Sequence, residues 1–83
     1  MDEELMKKYQ DTITLLQYRL PDYSFHGEFI PLGETVSFKL VYYKSPSEND
    51  WSSGGFKTKT FKPMKNNEQA LRYFIKTAQN RVF

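Results

Sequence analysis

The chain has no cysteine and a single histidine, His26, and these two shortages exclude several classes of chemistry. Without cysteine there is no disulfide, no thiolate metal ligand and no cysteine nucleophile. A zinc site would have at most one nitrogen ligand, and no serine stands in the sequence of a nucleophile elbow that could use His26. We therefore expect no catalytic residues, no metal and no cofactor, and we expect the protein not to be an enzyme.

Long apolar runs are also missing. No stretch approaches the roughly 18 apolar residues that a membrane-spanning helix needs. The start, Met1-Asp2-Glu3-Glu4, is acidic and is followed by no apolar run, unlike a signal peptide. Together with the absence of cysteine, this favours an intracellular, cytoplasmic protein with no membrane partner. The 83 residues predict one domain, 1–83, whose core depends on the 17% of residues that are aromatic.

Charge is unevenly distributed along the chain. Residues 1–33 carry three basic and six acidic side chains, whereas residues 34–83 carry nine basic and four acidic ones. The stretch from Trp51 to Asn67 contains four lysines and no acidic residue. A basic segment of this kind suits an anionic partner, although it also fits an ordinary solvated surface.

Two segments have the period of amphipathic helices. The first is predicted over residues 3–19, with Asp2 as its cap and Pro21 ending it. The second is predicted to begin after Asn66, which is a favourable N-cap. The apolar positions recur every three or four residues: Met6, Tyr9, Ile13, Leu16 and Leu20 in the first, and Leu71, Phe74, Ile75, Ala78 and Val82 in the second.

Three strands are predicted between the helices. Residues 23–30 and 35–44 alternate in polarity and flank a turn at 31–34, in which Gly33 can adopt a positive φ. A polar loop over residues 45–55 leads to a third strand, 56–62, which stops at Pro63. The order predicts an α+β fold: a two-layer α-β-β-β-α domain with a three-stranded antiparallel meander and both helices on one face.

Alternation along the strands separates a core face from an open face. The predicted core face consists of Phe25, Phe29, Val36, Phe38, Leu40, Tyr42 and Phe56. The predicted open face consists of His26, Glu28, Ile30, Ser37, Lys39, Val41, Tyr43, Lys57, Lys59 and Phe61. A slip of one residue in the register of a strand would exchange its two faces.

Nucleic-acid binding by the open sheet face is the first functional hypothesis. Lysines there would neutralise phosphates, and aromatic rings would stack on bases. The predicted site residues are Lys39, Tyr43, Trp51, Lys57, Lys59, Phe61, Lys62 and Lys65. The competing interpretations are that the lysines only confer solubility, that Phe61 is a core residue on a bulged strand, and that Trp51 folds back over the end of the sheet.

The α-β-β-β-α order resembles that of the double-stranded-RNA-binding domain. That family places a run of lysines at the start of its second helix, and the matching segment here, 62–68, has two lysines and then Glu68. The small residues that the family uses further along the helix are replaced by Leu71, Tyr73 and Phe74. The resemblance implies RNA binding, but it is one of element order, and we do not assign the chain to the family.

A protein-interaction module is the alternative. A small cysteine-free domain rich in Lys, Asn and Tyr looks like a phage or mobile-element accessory protein that binds and modulates a host or rival protein. Trp51 with Tyr42 or Tyr43 would be the aromatic anchor of such an interface. A homodimer is a further possibility, because the open sheet face would leave apolar area to cover.

Overall fold

The computed structural model describes residues 2–44 and 56–80. Helix α1 spans Glu3–Arg19 and is followed by strands β1 (Tyr23–Leu32), β2 (Thr35–Lys44) and β3 (Lys57–Thr60) and by helix α2 (Asn67–Asn80). The strands form one antiparallel sheet in the order β1-β2-β3. The predicted α+β fold is confirmed; Trp51 and Val82 lie outside the described residues.

Both helices begin at the predicted caps. The Asp2 carboxylate accepts a hydrogen bond from the Glu4 backbone N–H at 3.1 Å, and the Asn66 side chain accepts one from the Gln69 N–H at 2.9 Å. Each bond satisfies one of the N–H groups that a helix leaves unpaired in its first turn, which contributes about 1 kcal/mol.

The hairpin between β1 and β2 has a two-residue turn, Gly33-Glu34, closed by the pair Leu32 and Thr35. Gly33 has a φ of 64°, and no other described residue has a positive φ. A positive φ at the first turn position alone matches a type II′ turn, whose twist suits the flanking strands. This turn fixes the register in which Phe29 lies opposite Phe38 and Phe25 opposite Tyr42.

The core lies between the sheet and the helical layer. The Phe38 ring on β2 stacks on Phe74 of α2 with 4.4 Å between the ring centroids, and Leu40 is fully buried beside them. On α1, Leu5 is 1% exposed, whereas the predicted core residue Met6 is 39% exposed. Leu5 lies on the same apolar side of the helix as Tyr9 and Leu16. The first core residue of α1 is therefore Leu5, and the predicted core position of Met6 is wrong.

The third strand has the opposite facing to the predicted one. Phe61 is 5% exposed and packs against Phe38 and Phe74, whereas Phe56 is 71% exposed. The predicted core position of Phe56 and the predicted open position of Phe61 are therefore both wrong. The two residues are five apart, so a regular strand puts them on opposite faces, and pairing with β2 decides which one is buried.

A bulge follows β3 and keeps the next apolar residue on the core side. The Phe61 N–H donates to the Phe38 carbonyl at 2.9 Å, and Val36 and Met64 exchange two backbone hydrogen bonds of 2.8 Å each. One residue of β2, Ser37, thus lies opposite the two residues Lys62 and Pro63. The extra residue lets Phe61 and Met64 both pack against the core although they are three positions apart. Proline suits this position because a bulge leaves a backbone N–H without a ladder partner.

Candidate nucleic-acid interface

The register of β3 places its two lysines on the side of the sheet that the helices cover. Lys59 lies opposite Leu40, and Lys57 lies opposite Tyr42. Directly opposed residues of an antiparallel pair project to the same side. The Lys57 ammonium is accordingly 5.9 Å from the centroid of the Tyr23 ring, which in turn contacts Tyr42. The prediction that Lys57 and Lys59 lie on the open sheet face is wrong.

Lys39 and Tyr43 do occupy the open face, as predicted. Lys39 lies directly opposite Glu28, whose carboxylate is 3.4 Å from the imidazole of His26. Tyr43 contacts the exposed ring of Phe56 with 5.1 Å between the centroids. On the open face, Lys39 therefore lies beside a carboxylate and does not form a basic strip with Lys57 and Lys59.

One of the three predicted stacking residues, Phe61, cannot be used as proposed. Phe61 is buried between Phe38, Phe74 and Tyr73, so its ring is not available to a base. The position of Trp51 lies outside the described residues. Tyr43 is a described ring of the predicted site, and it lies on the face opposite to Lys57 and Lys59.

The basic residues gather instead along β3 and α2. Residues 56–80 carry six basic side chains and one acidic side chain, Glu68. Glu68 is paired with Arg72 one helical turn later, at 3.0 Å. We call the five lysines of this segment the basic edge: Lys57, Lys59, Lys62, Lys65 and Lys76.

Helix α2 contributes Lys76 to the basic edge. Lys76 and Tyr73 line a shallow cavity of about 270 Å³ with Met64, which follows the bulge. The apolar side of α2 is buried through Ala70, Leu71 and Phe74, so Lys76 lies on the solvent side of the helix. Lys62, two residues before Met64, and Lys65, directly after it, are both exposed.

Lys76 and Arg72 were not predicted as site residues, although a sequence signal for them existed. Both occupy helix positions opposite the apolar stripe of Leu71, Phe74 and Ala78, where a helix of this kind meets solvent. Their proximity to Met64 depends on how α2 packs on the sheet, which sequence periodicity does not specify.

Metal-ligating side chains do not cluster in residues 2–44 and 56–80. No group of three or more His, Asp and Glu side chains there could hold a metal ion. Burial raises the pKa of the Tyr9 hydroxyl above its usual value of 10.0, and the Gly27 backbone partly opposes the change. Tyr9 is a packing residue between α1 and the sheet, as its ring contacts with Phe38 and Phe74 show.

Comparisons with known proteins add no family to this description. No protein-family model matches the chain, no curated protein matches it, and no solved structure matches it. Within the described part of the chain, no helix has the length and apolar character needed to cross a membrane.

Proposed function

We propose that this protein is a non-enzymatic binding module that binds nucleic acid through its basic edge. The observation that carries the proposal is the charge of residues 56–80, which form β3, the segment after it and α2 and carry six basic side chains against one acidic side chain. The acidic residues of the opposite strand, β1, and of its flanking turns are Asp22, Glu28 and Glu34, and that segment has no lysine or arginine. The two edge strands of the sheet, with their flanking segments, thus differ in the sign of their charge.

The chemistry of this interface is phosphate binding. Lysine ammonium groups neutralise phosphates without reading bases, so binding should depend little on sequence and strongly on salt. With about four to five phosphate contacts, the association constant should fall on the order of 10²- to 10³-fold between about 50 and about 200 mM salt.

A titration tests the proposal. Labelled single- and double-stranded DNA and RNA are titrated with the protein at the two salt concentrations, with fluorescence anisotropy as the readout. We expect binding at low salt that weakens steeply at high salt. No binding to any of the four probes at low salt would contradict the proposed function.

Paired variants separate a located interface from a general effect of net charge. Lys62→Gln with Lys65→Gln removes two charges from the basic edge, and Lys7→Gln with Lys39→Gln removes two charges from elsewhere on the protein. We expect only the first variant to lose roughly tenfold or more in affinity, because each lost phosphate contact lowers the salt slope by about 1. Equal losses would argue against a located site.

Protein binding is the second candidate function, and one contact favours it. Phe56 is a 71% exposed aromatic ring that lies against Tyr43 on the sheet face opposite the helices. Exposed aromatic pairs are typical anchors of protein interfaces. Absence of nucleic-acid binding in the titration would favour this role, and a cytoplasmic location remains a prediction under either function.

A further inference from the structure

A groove runs between the two helices on the side of the molecule away from the sheet. Its volume is about 240 Å³, and it is lined by Leu5, Lys8, Arg72, Ile75, Lys76 and Gln79. Leu5 and Ile75 are nearly fully buried, so little apolar surface is left to bind an apolar partner. The exposed part of the groove is formed by three cationic side chains and one amide.

The groove is continuous with the basic edge through α2. Lys76 lines this groove and also the cavity beside Met64 and Tyr73 on the β3 side of the helix. Arg72, one turn before Lys76, lines the same two depressions. Two cations on the solvent side of α2, Arg72 and Lys76, thus lie between Lys8 on α1 and Met64, which precedes Lys65 of the basic edge.

The acidic neighbours of these cations hold them only weakly. Lys8 is 3.7 Å from the Glu4 carboxylate and Arg72 is 3.0 Å from Glu68, and both pairs are exposed contacts between successive turns of a helix. Exposed pairs of this type contribute little to stability, so their cations can be shared with a phosphate. Within the described residues, the Lys76 ammonium has no carboxylate within salt-bridge distance.

We infer that the α1–α2 groove is a phosphate-binding part of the same nucleic-acid interface, in which Lys8 contacts the phosphodiester backbone after it crosses α2 at Arg72 and Lys76. This inference rests on the proposed function and extends it to a helix that carries none of the predicted site residues. The ligand lies across the helical layer and leaves the open sheet face, with Lys39 and Tyr43, uncontacted.

Neighbouring lysines on α1 provide a matched test. Lys7 and Lys8 are both exposed and carry the same charge, but they project about 100° apart around the helix axis. Lys7 points away from the buried residues Leu5, Thr12 and Leu16, whereas Lys8 borders α2. Lys8→Gln and Lys7→Gln are compared by anisotropy on whichever of the four probes the wild-type protein binds most tightly, at several salt concentrations.

We expect Lys8→Gln to weaken binding about five- to tenfold at low salt and to reduce the slope of log K against log salt by about 1. Lys7→Gln should change the affinity less than twofold and leave the slope unaltered. Urea denaturation of both variants checks that each is folded.

The two proposals fail in different ways. If wild-type protein binds but Lys8→Gln behaves like Lys7→Gln, the groove is not part of the interface and the proposed function stands on the basic edge alone. If wild-type protein binds none of the probes at low salt, both proposals are overturned. A further check is Glu4→Gln, which removes the carboxylate beside Lys8: it should strengthen binding more than Glu3→Gln does, and equal effects would contradict the groove.

Discussion

The hydroxyl group of Tyr9, on α1, lies against the backbone of Gly27 in the middle of β1. Gly27 faces the helices opposite Leu40, at a position where the neighbouring pairs carry aromatic rings. A Cβ atom at Gly27 would meet the tip of the Phe38 ring and would come within 2.6 Å of the Tyr9 hydroxyl oxygen. The missing side chain therefore lets α1 approach the sheet and lets the Phe38 ring fill the space.

Gly27→Ala should lower the free energy of unfolding by about 1–3 kcal/mol, because the added methyl group overpacks a site bounded by a buried ring. Urea denaturation followed by circular dichroism measures the change. In a Tyr9→Phe background the cost should be smaller, since one of the two clashing groups has been removed. Strictly additive effects of the two substitutions would show that the Tyr9 hydroxyl does not restrict this position.

Alkaline pH should destabilise the protein partly through Tyr9. Burial raises the pKa of its hydroxyl above 10.0, so from about pH 10 upward the unfolded chain loses this proton before the folded protein does. The folded state then binds more protons than the unfolded state, and the free energy of unfolding falls as pH rises. Below that range Tyr9 contributes no pH dependence.

Urea denaturation at pH values from about 8 to about 11 measures this fall, and Tyr9→Phe should reduce its slope. Tyr18→Phe is the matched control, because Tyr18 lies on the same helix and is 84% exposed. Its slope should follow that of the wild-type protein. If Tyr9→Phe leaves the slope unchanged, burial of the Tyr9 hydroxyl is not what determines alkaline stability.

The facing of β3 can be tested with two phenylalanines. Phe61→Ala should cost about 3–5 kcal/mol, because it opens a cavity between Phe38 and Phe74, whereas Phe56→Ala should cost less than about 1 kcal/mol. Since a small domain has a total stability of about 5–15 kcal/mol, Phe61→Leu serves where the alanine variant does not fold. Phe56→Leu is then its partner, and a larger cost at Phe56 than at Phe61 would reverse the assigned register.

The first two strands could be predicted from the sequence for two reasons. Each has ten residues, so its alternation is clear, and Gly33 identifies the turn between them because glycine readily adopts a positive φ. Once Gly33 is placed at the turn, the pairing of Phe29 with Phe38 follows, and so do both faces of the hairpin. The helices were predictable for similar reasons, because Asp2 and Asn66 identify where they begin.

The third strand was not predictable in the same way. It has four residues, Lys57-Thr58-Lys59-Thr60, and neither lysine nor threonine indicates which side is buried. A phenylalanine stands at each end, and alternation alone allows either one to be the core residue. The local signal that favours Phe61 is Pro63, since a proline that interrupts the ladder permits a bulge and brings Met64 to the same side as Phe61.

The register of β3 also changed which residues belong to the candidate site. Sequence alternation grouped Lys57 and Lys59 with Lys39, whereas pairing with β2 places them on the helical side of the sheet. The basic character of the segment was visible in the sequence, but its location depends on how β3 pairs with β2 and how α2 packs on β2. Lys8 is separated from this segment by about fifty residues and could be connected to it only through the groove between the helices.

The shortness of β3 also limits how the protein can polymerise. Within the described residues β3 is an edge strand, and alternation directs the backbone N–H groups of Thr58 and Thr60 away from β2. Such an edge is a template for pairing with another chain, with fibrillar aggregates as the end point. Here the template offers four residues, two of them charged lysines, and the bulge at Pro63 interrupts it. The same lysines that we assign to an anionic ligand would therefore also keep concentrated protein from joining edge to edge.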